Sequence, residues 1–259
     1  MNDKRYALVT GASQGLGKAF AVELARKGID LLLVSLPEQG LARVSQDIRD
    51  TYRVDVRYFE TDLTEMENVL GLARWANDHF RIYILINNAG TGGTRKITEA
   101  DADYIRRIIQ LNVLATSMLT HQLLPNLLRQ PEGYILNVSS LAAFSPIGYK
   151  TVYPASKSYI HSFSRGLFQE LKGTSVFVSV VNPGAMKTNP EITSRVEKQG
   201  LFGRLTLLEP EKVARICVKK LFRKDSVIVV NPISWSVLHL LPIWIKMPLL
   251  TRTIKREIA

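Results

Sequence analysis

Tyr153 and Lys157 stand four residues apart in Tyr153-Pro154-Ala155-Ser156-Lys157. On a helix that spacing puts both side chains on one face, about one turn from each other. An unperturbed phenol titrates at about pH 10, too high for efficient acid/base work at neutral pH. A neighbouring ammonium favours the phenolate and is expected to bring that value down. Tyr153 could then give a proton to a carbonyl oxygen or take one from an alcohol. The pair alone is a common helical spacing and is often just an exposed couple. A hydroxyl source lies upstream, where Asn137-Val138-Ser139-Ser140 closes an apolar run. Either serine could hydrogen-bond a substrate oxygen and stabilise charge developing on it, or simply finish a strand.

A second chemical feature sits near the N-terminus, in Thr10-Gly11-Ala12-Ser13-Gln14-Gly15-Leu16-Gly17. Glycines directly after a strand and opening a helix let the backbone approach a pyrophosphate, which the free N–H groups and dipole of the helix N-terminus stabilise. The spacing is G-x-x-x-G-x-G, not the commoner G-x-G-x-x-G. Gly11, Ser13, Gln14, Gly15, Leu16 and Gly17 are the expected cradle. Cofactor choice falls to the end of the second strand, where a carboxylate would accept from a ribose 2′-hydroxyl and repel a 2′-phosphate. Ser35-Leu36-Pro37 supplies none, and Arg43 follows, so NADP(H) is favoured over NAD(H). Asp62, with Leu63 beyond it, could accept from an adenine amino group or cap the next helix.

Elements that would position these groups follow from periodicity. Short β-branched runs are expected as seven strands, Tyr6–Thr10, Leu31–Ser35, Asp55–Glu60, Tyr83–Asn87, Tyr134–Ser139, Val176–Asn182 and Val227–Val230. Amphipathic stretches at Gly15–Arg26, Glu38–Thr51, Glu65–His79, Ala100–Leu128, Pro154–Leu171 and Glu211–Phe222 alternate with them as helices. This is the pattern of βαβ units and a parallel sheet. Continuous runs such as Leu31-Leu32-Leu33-Val34 imply burial on both faces. The expected fold is α/β, a doubly wound (Rossmann) seven-stranded parallel sheet in one domain, with ligands beyond the carboxyl ends of the strands.

Taken in order, these stretches resemble the short-chain dehydrogenase/reductase family over nearly the whole chain to about Val230. The resemblance rests on the glycine loop, Asn87-Asn88-Ala89-Gly90, Asn112, Ser140, Tyr153/Lys157, and Asn182-Pro183-Gly184 with Thr188. It implies a catalytic set of Asn112, Ser140, Tyr153 and Lys157, and points to Ser140 over Ser139. Asn112 would hold a water in a relay from Lys157, and Lys157 would bind the nicotinamide ribose. Asn88, Ala89 and Gly90 would support the adenine side, while Pro183, Gly184 and Thr188 would line the carboxamide. The implied activity is nicotinamide-dependent reduction of a carbonyl or oxidation of an alcohol, with no metal. A silent dinucleotide-binding regulator is opposed by the intact Ser140, Tyr153 and Lys157. A nucleotide-sugar epimerase or dehydratase is opposed by the glycine spacing and by the lack of a longer substrate domain.

The 259 residues carry a formal net charge of +11, with 46% hydrophobic and 22% charged residues. That balance suits one soluble domain, and the positive field favours anionic ligands or an acidic membrane surface. No basic-aromatic reading motif accompanies it, so no nucleic-acid partner is expected. A single cysteine, Cys217, allows no internal disulfide, and the chain enters its first strand with no signal-like segment, so a cytoplasmic location is the default expectation. Residues 1–230 form the expected catalytic domain, with a substrate loop at about 189–208. Residues 231–259 are an apolar extension with a basic end, interrupted by Pro242 and Pro248. They are expected to pack on the core or on a partner subunit, with peripheral membrane contact as the alternative. The tail and charge suggest a bulky apolar small-molecule substrate such as a 3-oxoacyl, sphingoid or steroid compound. The family resemblance implies a homodimer or homotetramer joined through the helices around 115–128 and 155–171.

Overall fold

A computed structural model describes residues 4–187 and 207–256. Seven strands, β1 (Tyr6–Thr10), β2 (Asp30–Ser35), β3 (Val56–Glu60), β4 (Ile82–Asn87), β5 (Gly133–Val138), β6 (Val176–Val181) and β7 (Val227–Ile228), form one sheet. Their order is β3-β2-β1-β4-β5-β6-β7, and every pairing is parallel. The doubly wound expectation therefore holds.

The apolar runs explain this arrangement, because successive residues of a strand point to opposite faces. Along β1 and β2, Ala7, Val9, Leu31 and Leu33 enter one core, and Tyr6, Leu8, Leu32 and Val34 the other. Helices α1 (Gly15–Ala25), α2 (Leu41–Tyr52) and α7 (Pro210–Phe222) cover the first core. Helices α3 (Met66–His79), α5 (Thr116–Leu128) and α6 (Val152–Glu170) cover the second. Cys217 is buried on α7, where its thiol is pushed far above its usual range and is inert.

Two expectations change. The long helix at 100–128 is divided into α4 (Ala102–Ile109), a π-helical segment (Gln110–Ala115) and α5. The extra residue per turn is absorbed where the buried Asn112 turns to neighbouring backbone, the kind of position where π-bulges collect at functional sites. The C-terminal stretch forms two helices, α8 (Pro232–Leu240) and α9 (Ile243–Lys255). Pro232 occupies the first turn of α8, where its missing N–H costs nothing, and Asn231 Oδ1 caps the helix by accepting from Ser234 N. Leu241 is extended, as a residue before proline must be, and separates the two helices.

The hairpin of α8 and α9 touches the rest of the molecule through Phe144, which packs against Trp235 and His239, and through Gly148, whose N–H donates to Thr251 Oγ1. Ile254 is its one buried residue among those described. The expected packing on the core thus applies to a narrow face only. No helix among the described residues is long and apolar enough to cross a membrane.

Candidate active site

The strand order reverses between β1 and β4, and the glycine loop after β1 faces the Asn88–Gly90 turn after β4 there. Such a switch point is where open α/β sheets bind ligands. Thr10 joins the two: its Oγ1 accepts from Asn88 N and Ala89 N, while Asn88 Nδ2 donates to the carbonyls of Thr10 and Gly11. Ala12 N donates to Val34 O and ties the loop to β2. Gly11 (φ +67°) and Gly15 (φ +53°) occupy left-handed backbone that suits glycine. A Cβ on Gly17 would lie 2.0 Å from Gly11 O, so the first turn of α1 is wrapped against the loop with no space for a side chain. No side chain caps α1. The first-turn N–H groups and this bare cradle fit a pyrophosphate.

Among the other expected contacts, Leu16 and Leu63 send their side chains into the core, so only their backbone faces the sheet edge. Ser35 is buried with its hydroxyl donating to Leu36 O, and Leu36 is exposed. Asp62 does not cap α3, whose N-cap is Glu65; its Oδ1 accepts from Thr64 N and Oγ1, both at 2.8 Å. Pro183 O accepts from Leu141 N, joining the loop after β6 to the one after β5. Gly184 is half-buried beside it. Thr188 and the substrate loop up to residue 206 lie outside the described residues. Gly90 adjoins the catalytic groups: its missing Cβ would lie 3.2 Å from both Lys157 Nζ and Asn112 Oδ1.

That glycine looks onto the second half of the site. Tyr153 and Lys157 lie one turn apart on α6, with Lys157 Nζ 5.9 Å from the centre of the Tyr153 ring. The ring packs against Gly92, where a Cβ would come within 2.7 Å of it. The two serines have separate tasks. Ser139 Oγ is buried and donates to Lys157 O at 2.7 Å, which fastens β5 to α6. Ser140 Oγ accepts from Ala142 N at the start of a short 3-10 helix (Leu141–Phe144), and its hydroxyl stands near enough to the Tyr153 phenol to favour the phenolate. Lys157 Nζ donates to Val138 O at 2.9 Å. Asn112 is committed to its neighbours. Its Nδ2 donates to Thr91 O and Ser156 Oγ, and its Oδ1 accepts from Thr91 N. Thr10, Thr91, Gly92 and Ser156 were not singled out in the sequence, because their parts are defined only by partners distant along the chain.

The electrostatics correct one expectation. Burial pushes the Tyr153 phenol above its ordinary value, and the Ser140 hydroxyl pulls only partly against it. The ammonium does not bring the phenol down, because the amine is itself buried and its own value falls from 10.5 to about 8. Removing charge from water costs more here than the pair regains.

The cost to the fold follows. Between about pH 8 and 10.5 the unfolded chain binds more protons at Lys157 than the folded one, so folding stability rises with pH across that window. Below it the whole penalty is present, on the order of 3 kcal/mol, against which the bond to Val138 O is already set. Lys157→Met should therefore raise the melting temperature at pH 7, with a gain that fades by pH 10. A variant less stable than the parent at both pH values would contradict this reading.

Residues 5–199 match the short chain dehydrogenase family. Over 200 residues the chain is 32% identical to hydroxysteroid dehydrogenase-like protein 1 of Gallus gallus, covering 76% of this chain and 60% of that protein. Over 182 residues it is 35% identical to very-long-chain 3-oxoacyl-CoA reductase of Anas platyrhynchos, covering 69% and 58%. The matched region thus spans about three-fifths of the length of these two relatives. A short-chain dehydrogenase from Sphingobium yanoikuyae, solved in complex with NADPH, superposes with a TM-score of 0.80 at 29% identity, covering 91% of this chain and 92% of that one.

Proposed function

The chain belongs to the short chain dehydrogenase family, and from that premise we propose that it is a nicotinamide-dependent oxidoreductase interconverting a carbonyl and an alcohol on an apolar substrate. The observation that carries the proposal is the Tyr153 phenol set one helical turn from the buried Lys157 amine, with Ser140 nearby, in a sheet whose first loop is a bare glycine cradle.

Gly11, Ser13, Gln14, Gly15 and Gly17 would hold the pyrophosphate of the dinucleotide, Asp62 the adenine end, and Lys157 with Pro183, Gly184 and Thr188 the nicotinamide end. When bound, the dinucleotide supplies or accepts the hydride at the carbonyl carbon. Ser140 then donates a hydrogen bond to the substrate oxygen. Tyr153 gives that oxygen its proton in reduction and removes it in oxidation. Burial keeps the phenol protonated at neutral pH, so it carries the proton that reduction requires, as a weaker acid than a free phenol. Lys157, with a value of about 8, can restore the proton to it. Asn112 acts by holding the turn at Thr91 against α6, and a relay water would use the remaining lone pair of its Oδ1.

NADP(H) is favoured over NAD(H) because β2 ends in Ser35-Leu36 without a carboxylate. Glu38 and Arg43, both exposed in the stretch that follows, pull in opposite directions. An apolar substrate is supported by the aromatic cluster next to Ser140, in which Phe144 meets His161, Trp235 and His239 at centroid distances of 5.0, 4.8 and 4.4 Å. Carbonyl compounds of graded chain length, each offered with NADPH and NADH, test both points. Faster turnover of long 3-oxoacyl or steroid substrates with NADPH is expected. Preference for short aldehydes or for NADH would contradict the substrate or cofactor assignment respectively.

The same reading includes a homodimer or homotetramer through α5 and α6. Their outer faces are linked by Ser117 to Tyr159 at 3.0 Å, and Tyr159 and Phe163 stack at 5.9 Å. Light scattering should give at least a dimer, and a monomer would contradict it.

A further inference from the structure

Half of the large apolar side chains exposed among the described residues fall within α8, α9 and the turn between them: Ile233, Val237, Leu240, Ile243, Trp244, Met247 and Leu249. The exposure is extreme, at 78% for Ile233, 81% for Leu240 and 71% for Trp244. Ile233, Val237 and Leu240 repeat at helical spacing along one side of α8, so they form a stripe and not scattered contacts. Soluble monomers rarely leave such a contiguous patch in water.

From Ser226 through Arg256 the sequence contains no aspartate or glutamate, while Lys246, Arg252, Lys255 and Arg256 lie in or just past α9. A 460 Å³ recess opens where α9 meets the loop before α6, lined by Tyr149, Met247, Pro248, Thr251, Arg252 and Lys255. Two cations therefore edge an apolar hollow on α9, the helix that follows the exposed stripe. Apolar side chains including a tryptophan, bordered by cations without carboxylates, are the make-up of a helix lying at a lipid surface.

We propose that the hairpin of α8 and α9 is a docking surface for an anionic phospholipid bilayer, with its apolar stripe seated at the acyl boundary and Arg252 and Lys255 on the headgroup phosphates. A second copy of the chain is a poorer occupant. A two-fold contact would set this cationic face against itself, where like charges repel. The surface goes beyond the catalytic reading and does not depend on it, since none of its residues holds the dinucleotide or the reacting oxygen.

The test is sedimentation of the full chain with vesicles of phosphatidylcholine alone and of equal parts phosphatidylcholine and phosphatidylglycerol. Binding to the mixed vesicles should be at least about tenfold tighter and should weaken as salt screens the headgroups. Leu240→Glu/Trp244→Glu should abolish it at an unchanged melting temperature, both side chains being almost fully in water. If that pair fails to fold, Arg252→Gln/Lys255→Gln serves instead, with a loss of roughly thirtyfold expected for two cations. Absence of binding to mixed vesicles, or undiminished binding by a folded variant, would overturn the proposal. So would a wild-type dimer that ignores vesicles and becomes a monomer on the Leu240/Trp244 substitutions, which would assign the face to a second copy.

Discussion

Tyr153→Phe should lower turnover by about 10²–10⁴-fold, the usual contribution of a positioned general acid, while leaving dinucleotide affinity nearly unchanged. The substitution removes one oxygen and keeps the ring, which is packed against Gly92. The Ser140 hydroxyl keeps its bond from Ala142 N, so stability should change by no more than about 1 kcal/mol. The parent adds a pH signature. With the phenol held above its ordinary value by burial, reduction should run at full rate across neutral pH and decline only in the alkaline range, whereas oxidation should gain there. Steady-state kinetics in both directions, with dinucleotide titration by fluorescence, checks all of this. A variant within a few-fold of the parent would remove Tyr153 from the reaction.

Gly17→Ala is the second large effect, and it acts on the other half of the site. The new methyl would stand 2.0 Å from Gly11 O and 2.6 Å from Gly11 C, both backbone atoms that no rotamer change can move aside. Either the glycine loop or the start of α1 has to shift, and the loop is tied to both Asn88 and Val34. A loss of several kcal/mol of stability and at least a hundredfold weaker dinucleotide binding are expected, on the order of the largest single-residue effects. Gly166→Ala is the matched control. That glycine is inside α6 with nothing within 4 Å of a new Cβ, so the same change should stabilise by about 0.5–1 kcal/mol. Equal melting temperatures and dinucleotide affinities for the two variants would contradict the cradle.

The two substitutions mark what could be read from the sequence. Strand runs such as Leu31–Ser35 were legible because two-sided burial leaves almost no polar residue to blur the ends. The Tyr153/Lys157 spacing needed only helix geometry. Choosing between Ser139 and Ser140 on the residues alone was not feasible, since both end the same strand. The difference appears only once Ser139 meets the Lys157 carbonyl and Ser140 meets the phenol. The direction of the Tyr153 shift went the same way: adjacency to a lysine argued for a lower value, and burial, a property of the assembled fold, decided it. The break at Gln110–Ala115 was hidden within an apolar periodicity that runs on through it. Helices α8 and α9 escaped notice because Pro242 and Pro248 read as breakers, although Pro242 only starts α9 and Pro248 is absorbed within it.

The most direct test of the account is to follow one deuterium. The purified protein is given a long-chain 3-oxo substrate and reduced dinucleotide labelled at the nicotinamide C4 position, and the product is read by mass spectrometry. Alcohol carrying the label on its carbinol carbon, formed by the parent and not by Tyr153→Phe at the same dinucleotide occupancy, is the expected result. Dinucleotide that binds in the glycine cradle and stays unconsumed with every carbonyl offered would contradict it.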